Sequence, residues 1–256
     1  MLFRSLSVAD VEQLVLELRG LSSQYPAGWR AIGLTEKSRG RLAEAVEAYR
    51  RALALSDVSQ PIGLASRREL AQLLIDLGDF TAAEPLVAEV IQASPATSAD
   101  QLRLAQLRRS TGDRVSAENL LNEVLRKEPE NLPARLQRGT FFVELQKLAE
   151  AQADFEHSLR IAPFHYEAHY RLSQTLQRQG DSSGAAKHLE EHRRLSELKL
   201  RVFEINRQRE TAPQDPQLMD ELADLFESLG QPRTAAQWHR AAETVRRLRS
   251  RSAFPG

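Results

Sequence analysis

The chain has 256 residues, enough for one large domain or two small ones with a substantial buried core. Lys+Arg and Asp+Glu are equal at 35 each, so the formal net charge is zero and no bulk electrostatic pull toward nucleic acid or anionic membrane is expected. There is no cysteine, which excludes disulfides, thiolate metal sites and cysteine nucleophiles.

From the start of the chain, Asp10, Glu12 and Glu17 interrupt what a secretory leader would keep apolar, so none is expected. No stretch approaches the roughly 18–20 apolar residues that span a bilayer, and a soluble, cytoplasmic protein is the expectation. Val8, Val11, Leu14, Val15, Leu18 and Leu21 recur at helical spacing and predict an amphipathic helix within residues 1–25. It would cover the open apolar face of the element that follows.

An internal period then runs down the chain. Ala45, Ala83, Ala117, Ala151 and Ala185 are separated by 38, 34, 34 and 34 residues, and Ala235 follows after 50. Five residues before each alanine stands a turn residue: Gly40, Gly78, Gly112, Gln146, Gly180 and Gly230. Pro95, Pro129 and Pro163 follow three of the alanines by twelve residues. Apolar residues recur at helical spacing on both sides of each turn, as Leu70, Leu73, Leu74 and Leu77 do before Gly78. Glycine suits a helix end that turns left-handed, alanine lets two helices approach, and proline ends the second helix because it lacks a donor. The bulky residue one turn after each alanine (Tyr49, Val87, Leu121, Phe155, Leu189) fills the space between helix pairs. Each pair leaves an apolar face it cannot bury alone, so pairs stack.

These residues resemble the tetratricopeptide repeat family. Trp29, Ile32, Gly33, Gly40, Ala45, Tyr49 and Ala52 carry the likeness in the first unit, and Gly139, Phe142, Ala151, Phe155 and Pro163 in the fourth. The resemblance implies an all-α, right-handed α-solenoid: a cover helix in 1–25, five hairpins over 26–199, a helix extension and linker over 200–215, a sixth hairpin over 216–249, and a basic tail over 250–256. Departures are Arg108 and Arg138 at apolar positions, Gln146 at a turn, His192 at a small site, and four extra residues near Asp57–Pro61 that lengthen a loop.

The family is chiefly a protein-binding scaffold, and the resemblance implies a concave groove lined by the first helices. Projected onto those helices, the groove carries Arg30, Lys37, Arg68, Gln72, Arg103, Gln106, Arg109, Tyr170, Arg171, Gln174, Gln177 and Arg178. Leu136, Thr140, Val143 and Glu144 interrupt it, and Asp220, Glu221, Asp224 and Glu227 make its far end acidic. An acidic or carboxylate-bearing protein segment is the expected ligand, with arginines as forked donors, against the alternative that these are ordinary solvated faces. The carboxylate clamp of chaperone-binding relatives is not matched, because its positions read Arg30 with Leu34 and Arg68 with Gln72.

Other readings are weighed against this one. Leu195, Leu198, Val202 and Ile205 alternate three and four apart, which suits either packing against the sixth hairpin or a homodimer seam. His165 and His169, like His188 and His192, are four apart, a spacing that suits zinc if a third ligand is supplied, but no glutamate accompanies them as in metalloprotease helices. No phosphate loop, nucleophile elbow or framed catalytic serine occurs, so no enzyme and no cofactor are expected. RNA binding by helical repeats needs groove aromatics for stacking, and only Tyr170 is available.

Overall fold

A computed structural model describes residues 25–252. Among these residues all regular structure is helical: α1 Pro26–Ser38, α2 Leu42–Ala54, α3 Pro61–Asp76, α4 Phe80–Ala93, α5 Ser98–Ser110, α6 Arg114–Lys127, α7 Leu132–Glu144, α8 Leu148–Ile161, α9 Tyr166–Gln179, α10 Ser182–Thr211, α11 Pro216–Ser228 and α12 Pro232–Ser252. None of these helices is long and apolar enough to cross a membrane. The helix expected within residues 1–25 and the last residues of the basic tail lie outside the described residues. The chain divides into two compact units, one ending at Phe141 and one beginning at Phe142, so the division falls inside α7.

Among the described residues six helix pairs close in one way. The turn residue has positive φ at Gly40, Gly78, Gly112, Gly180 and Gly230 (71–89°) and at Gln146 (59°). The amide of the following residue then donates to the carbonyl five back: Arg41 to Glu36, Asp79 to Leu74, Asp113 to Arg108, Lys147 to Phe142, Asp181 to Leu176 and Gln231 to Phe226, all at 2.8–3.0 Å. This satisfies carbonyls that a helix end leaves unpaired and reverses the chain within three residues. At three turns the next residue is aspartate, whose carboxylate caps the second helix: Asp79 accepts from the Ala82 amide, Asp113 from Ser116 and Asp181 from Gly184. Gln146 therefore keeps the turn that its side chain disfavours.

In the first unit the three alanines of the repeat, Ala45, Ala83 and Ala117, are all fully buried, as their role requires. Gly33 faces Tyr49 so closely that a Cβ there would lie 2.7 Å from the ring. Tyr49 and Ala45 pack with Leu70, Leu73 and Leu74 of α3, and Val87 packs with Leu107 of α5 in the same core. The first helix of each following pair thus covers the second helix of the pair before it. The four extra residues do not all enter a loop: the helical stretch starts at Pro61, one turn early, and α3 runs to 16 residues. A Cβ on Gly63 would meet the Asp57 carbonyl at 2.0 Å, so the early turn needs glycine there. Arg108 and Arg138, placed at apolar positions by the repeat, turn outward to Glu84 (3.1 Å) and Asn122 (2.8 Å).

In the second unit α10 is one helix of 30 residues. Its seam residues Leu195 and Ile205 are fully buried and Leu198 and Val202 half-buried. Arg201 Nε donates to Glu221 Oε1 of α11 (2.6 Å), and the Arg209 guanidinium lies 4.3 Å from the Trp238 ring centroid of α12. Of the residues at the coiled-coil spacing, Leu195 and Ile205 are thus buried within the chain and Val202 lies beside Phe226 and Leu229 of α11 and the turn after it.

A left-handed conformation costs a residue with a Cβ about 1–2 kcal/mol per residue, a cost absent for glycine. Gln146→Gly is expected to raise the denaturation midpoint, with a gain of about 1 kcal/mol, and Gly180→Ala to lower it by a similar amount. Urea titration followed by circular dichroism measures both.

Candidate functional site

The expected groove residues do not share one environment. In the first unit, Arg68 on α3 makes a forked pair with Asp100 on α5, Nε to Oδ1 at 2.9 Å and Nη2 to Oδ2 at 2.8 Å. Arg103 Nη1 donates to the same Oδ1 at 2.8 Å. Asp100 is 2 % exposed and also belongs to a capping box, in which the Thr97 hydroxyl accepts from its amide while its own Oδ2 accepts from the Thr97 amide. Burial by itself would raise the Asp100 pKa, but the hydrogen bonds from Arg68 and Thr97 outweigh it and hold the carboxyl below its usual value. Gln72 Nε2 donates to Gln106 Oε1 across the same two helices (3.4 Å), and Arg30 lies 3.7 Å from Glu69. Arg68 with Asp100 and Gln72 with Gln106 therefore bond α3 to α5, while Arg103 shares the Asp100 carboxylate from within α5. Reversing Arg68 or Arg103 perturbs the fold before it tests any ligand. Asp100 is the residue sequence reasoning missed, although Thr97-Ser-Ala-Asp100 ahead of an apolar run is a legible capping signal.

In the second unit, Tyr170, Gln174 and Arg178 lie along α9 and are exposed. Arg171 turns to Glu167 on its own helix, Nη2 to Oε1 at 2.6 Å. With Ser173, Gln177, Ser182, Ala185, Ala186 and Leu189, the three exposed residues border an open depression of about 460 Å³ between α9 and α10. The Arg178 guanidinium makes no ion pair among the described residues. The Tyr170 ring leans on His192, centroids 5.0 Å apart, and His192 Nδ1 donates to the Tyr166 carbonyl (2.9 Å). His192 thus fits the usually small site by taking a backbone partner. Ala185 and Leu189 sit on positions the repeat already marked as packing; their place beside an open slot was not visible in the spacing.

The histidines pair differently from their sequence spacing. His165 caps α9 by accepting from the Ala168 amide. His169 Nε2 donates to the Pro163 carbonyl (3.0 Å), so its Nδ1 accepts from His188 Nδ1–H at 3.0 Å. The i,i+4 pairs are separated because α9 and α10 present one member of each to the other helix. Among the described residues no group of three or more His, Cys, Asp or Glu side chains is arranged to hold a metal ion. Burial, and then the neighbouring His169, push the His188 pKa below its ordinary 6.5.

Asp100→Ala leaves two arginines facing each other without their carboxylate, and a loss of about 3 kcal/mol or more is expected. Arg68→Met combined with Asp100→Leu should cost less than the two single changes added, and a double-mutant cycle in urea reads this directly. For His188 the fold favours the neutral ring while the unfolded chain takes up a proton near 6.5. Stability present above that pH is lost as the pH falls through it. Melting curves between pH 7.5 and 5.5 should show this fall, and His188→Gln should flatten it.

The comparisons with known proteins agree with this geometry. Two tetratricopeptide repeat models match the chain, one over residues 30–98 and again over 136–197, the other over 74–138. No curated protein matches it. Among solved structures, PilW, a widely conserved type IV pilus biogenesis factor, superposes with a TM-score of 0.60 at 14% identity, covering 70% of this chain and 83% of its own. The human IFIT1 dimer with PPP-AAAA gives 0.56 at 12% identity over 93% of this chain and 70% of that one. MamA (41-end) from Desulfovibrio magneticus RS-1 gives 0.52 at 17% identity over 67% and 95%. At such identities these likenesses establish the fold, an all-α array of helical hairpins. With family models covering more than half of its length and the turn geometry repeating at their stride, the chain belongs to the tetratricopeptide repeat family.

Proposed function

We propose that the chain is a protein-interaction scaffold whose contact surface is the exposed face of α9, where Tyr170, Gln174 and Arg178 receive an acidic segment of a partner protein. Family membership supports a protein-interaction scaffold in general. One observation carries the finer reading: of the polar residues expected in the groove, Arg68, Gln72, Arg103 and Gln106 are bonded within the first unit, whereas Gln174 and Arg178 stand exposed at an open depression. Groove side chains already bonded to each other must break those bonds to meet a ligand. An exposed arginine about two turns along the same helix from an exposed tyrosine meets one at no such cost, and tyrosine and arginine are the residue types that carry most binding energy at protein interfaces. The guanidinium fork matches a carboxylate, and the amide of Gln174 matches a peptide group or a second amide.

Affinity capture with the wild-type chain and with a Tyr170→Ala, Arg178→Glu double variant tests this. Residues of this kind contribute about 2 kcal/mol or more each when they anchor an interface, so the captured partner should fall by more than tenfold. Helicity by circular dichroism should be unchanged, since both side chains are exposed. Equal capture by the two proteins would remove α9 from the interface.

A further inference from the structure

Resting on that reading, we infer that the partner segment is a helix, seated where the first helix of another repeat would stack, with an acidic side chain set against Arg178. In the first unit the bulky residue of each second helix lies under the next first helix: Tyr49 and Val87 are 0 % and 4 % exposed beneath α3 and α5. Leu121 and Phe155 are equally buried at the same position. Leu189 is their counterpart in α10, and it is only half-buried, with Ala186 exposed beside it.

The chain supplies the reason. The spacing between repeats lengthens from 34 to 50 residues after Ala185, and α10 continues for 30 residues instead of ending after 14 as α8 does. The sixth pair packs on the distal half of α10, through Arg201 and Glu221 and through Val202 beside Phe226 and Leu229. The proximal half keeps an open slot whose walls belong to α9 and α10 alone.

The slot is shaped and charged for a helix. Its floor is Ser173, Ala185 and Ala186, small side chains that let a helix approach closely, with the half-buried Leu189 as an apolar contact beside them. On its rim Tyr170 and Gln174 repeat the positions of Arg68 and Gln72, through which α3 bonds to α5, and Arg178 follows one turn beyond. Arg68 and Gln72 reach Asp100 and Gln106 on the next first helix; among the described residues Gln174, three repeats beyond Gln72, and Arg178, one turn further, have no hydrogen-bond partner on a following first helix. The occupant fitted to this surface is an amphipathic helix of three to four turns from another protein. Its apolar or small residues recur at i, i+3, i+4 and i+7, and Asp or Glu flanks that stripe on the Arg178 side.

The probes are three fluorescein-labelled 16-residue peptides. The first is a lactam-stapled Ala/Leu helix with Leu on one face and Glu on one flank. The second carries Lys on that flank, and the third is unstapled with a central proline. Each is titrated against the full chain by fluorescence anisotropy. The Glu-flanked helix should bind at least tenfold more tightly than the other two. Ala186→Arg, which fills the slot from an exposed position, should abolish binding without loss of helicity, and Arg178→Glu should transfer the preference to the Lys-flanked helix. Binding of the proline peptide as tight as that of the staple overturns the helix while leaving α9 as the contact face; no binding by any peptide, with partner capture intact, overturns it as well. A dimer of the chain that Ala186→Arg dissociates would put a second copy in the slot and overturn the partner helix. Loss of capture specificity for Tyr170→Ala, Arg178→Glu is read separately and concerns the contact face only.

Discussion

Every helix pair depends on one backbone arrangement: a residue in the left-handed region followed by an amide that reaches five residues back. The arrangement leaves almost no freedom in how the second helix returns along the first, and it repeats with a hydrogen bond of 2.8–3.0 Å at the six described turns. Because the return path is fixed, the alanine five residues beyond the turn always falls at a close crossing of helices. The bulky residue a turn later always falls on the outward face. The packing of one pair on the next is therefore set by the turn rather than by the particular apolar residues, which vary from Tyr49 to Val87 to Leu121 at one position.

That constraint explains which parts of the fold were legible in the amino-acid sequence. Turn glycines, alanines and terminating prolines carry backbone reasons for being what they are, so their spacing exposes the stride, the hairpins and the continuation of α10. Gln146 shows the limit: its type argues for an irregular turn, yet the surrounding helices hold it at φ 59° and the hydrogen bond forms as elsewhere. The extra residues before α3 were expected in a loop, but Pro61 at a first helical position and Gly63 against the Asp57 carbonyl allow one more turn of helix.

The candidate site was less legible, because projecting side chains onto a face says where they point and not what they meet. Arg68, Arg103, Tyr170 and Arg178 look alike in such a projection. Their difference arises from Asp100, a carboxylate buried at the start of the next first helix, which draws two arginines to itself. Between α3 and α5, where the stride is 34, the polar edge of one first helix is answered by the next. Where the stride lengthens to 50, the answer is displaced along α10 and the polar edge of α9 stays open. The exposure of these side chains is thus a consequence of spacing, through the packing that the spacing permits.

The central claim is that ligand contact falls on α9 and the proximal half of α10 and not on the bonded arginines of α3 and α5. Amide hydrogen exchange of the full chain, with and without its captured partner, tests this most directly. Slower exchange should concentrate in residues 170–178 and 185–190, with α3 and α5 unchanged. Protection confined to residues 68–72 and 103–109 would contradict the account.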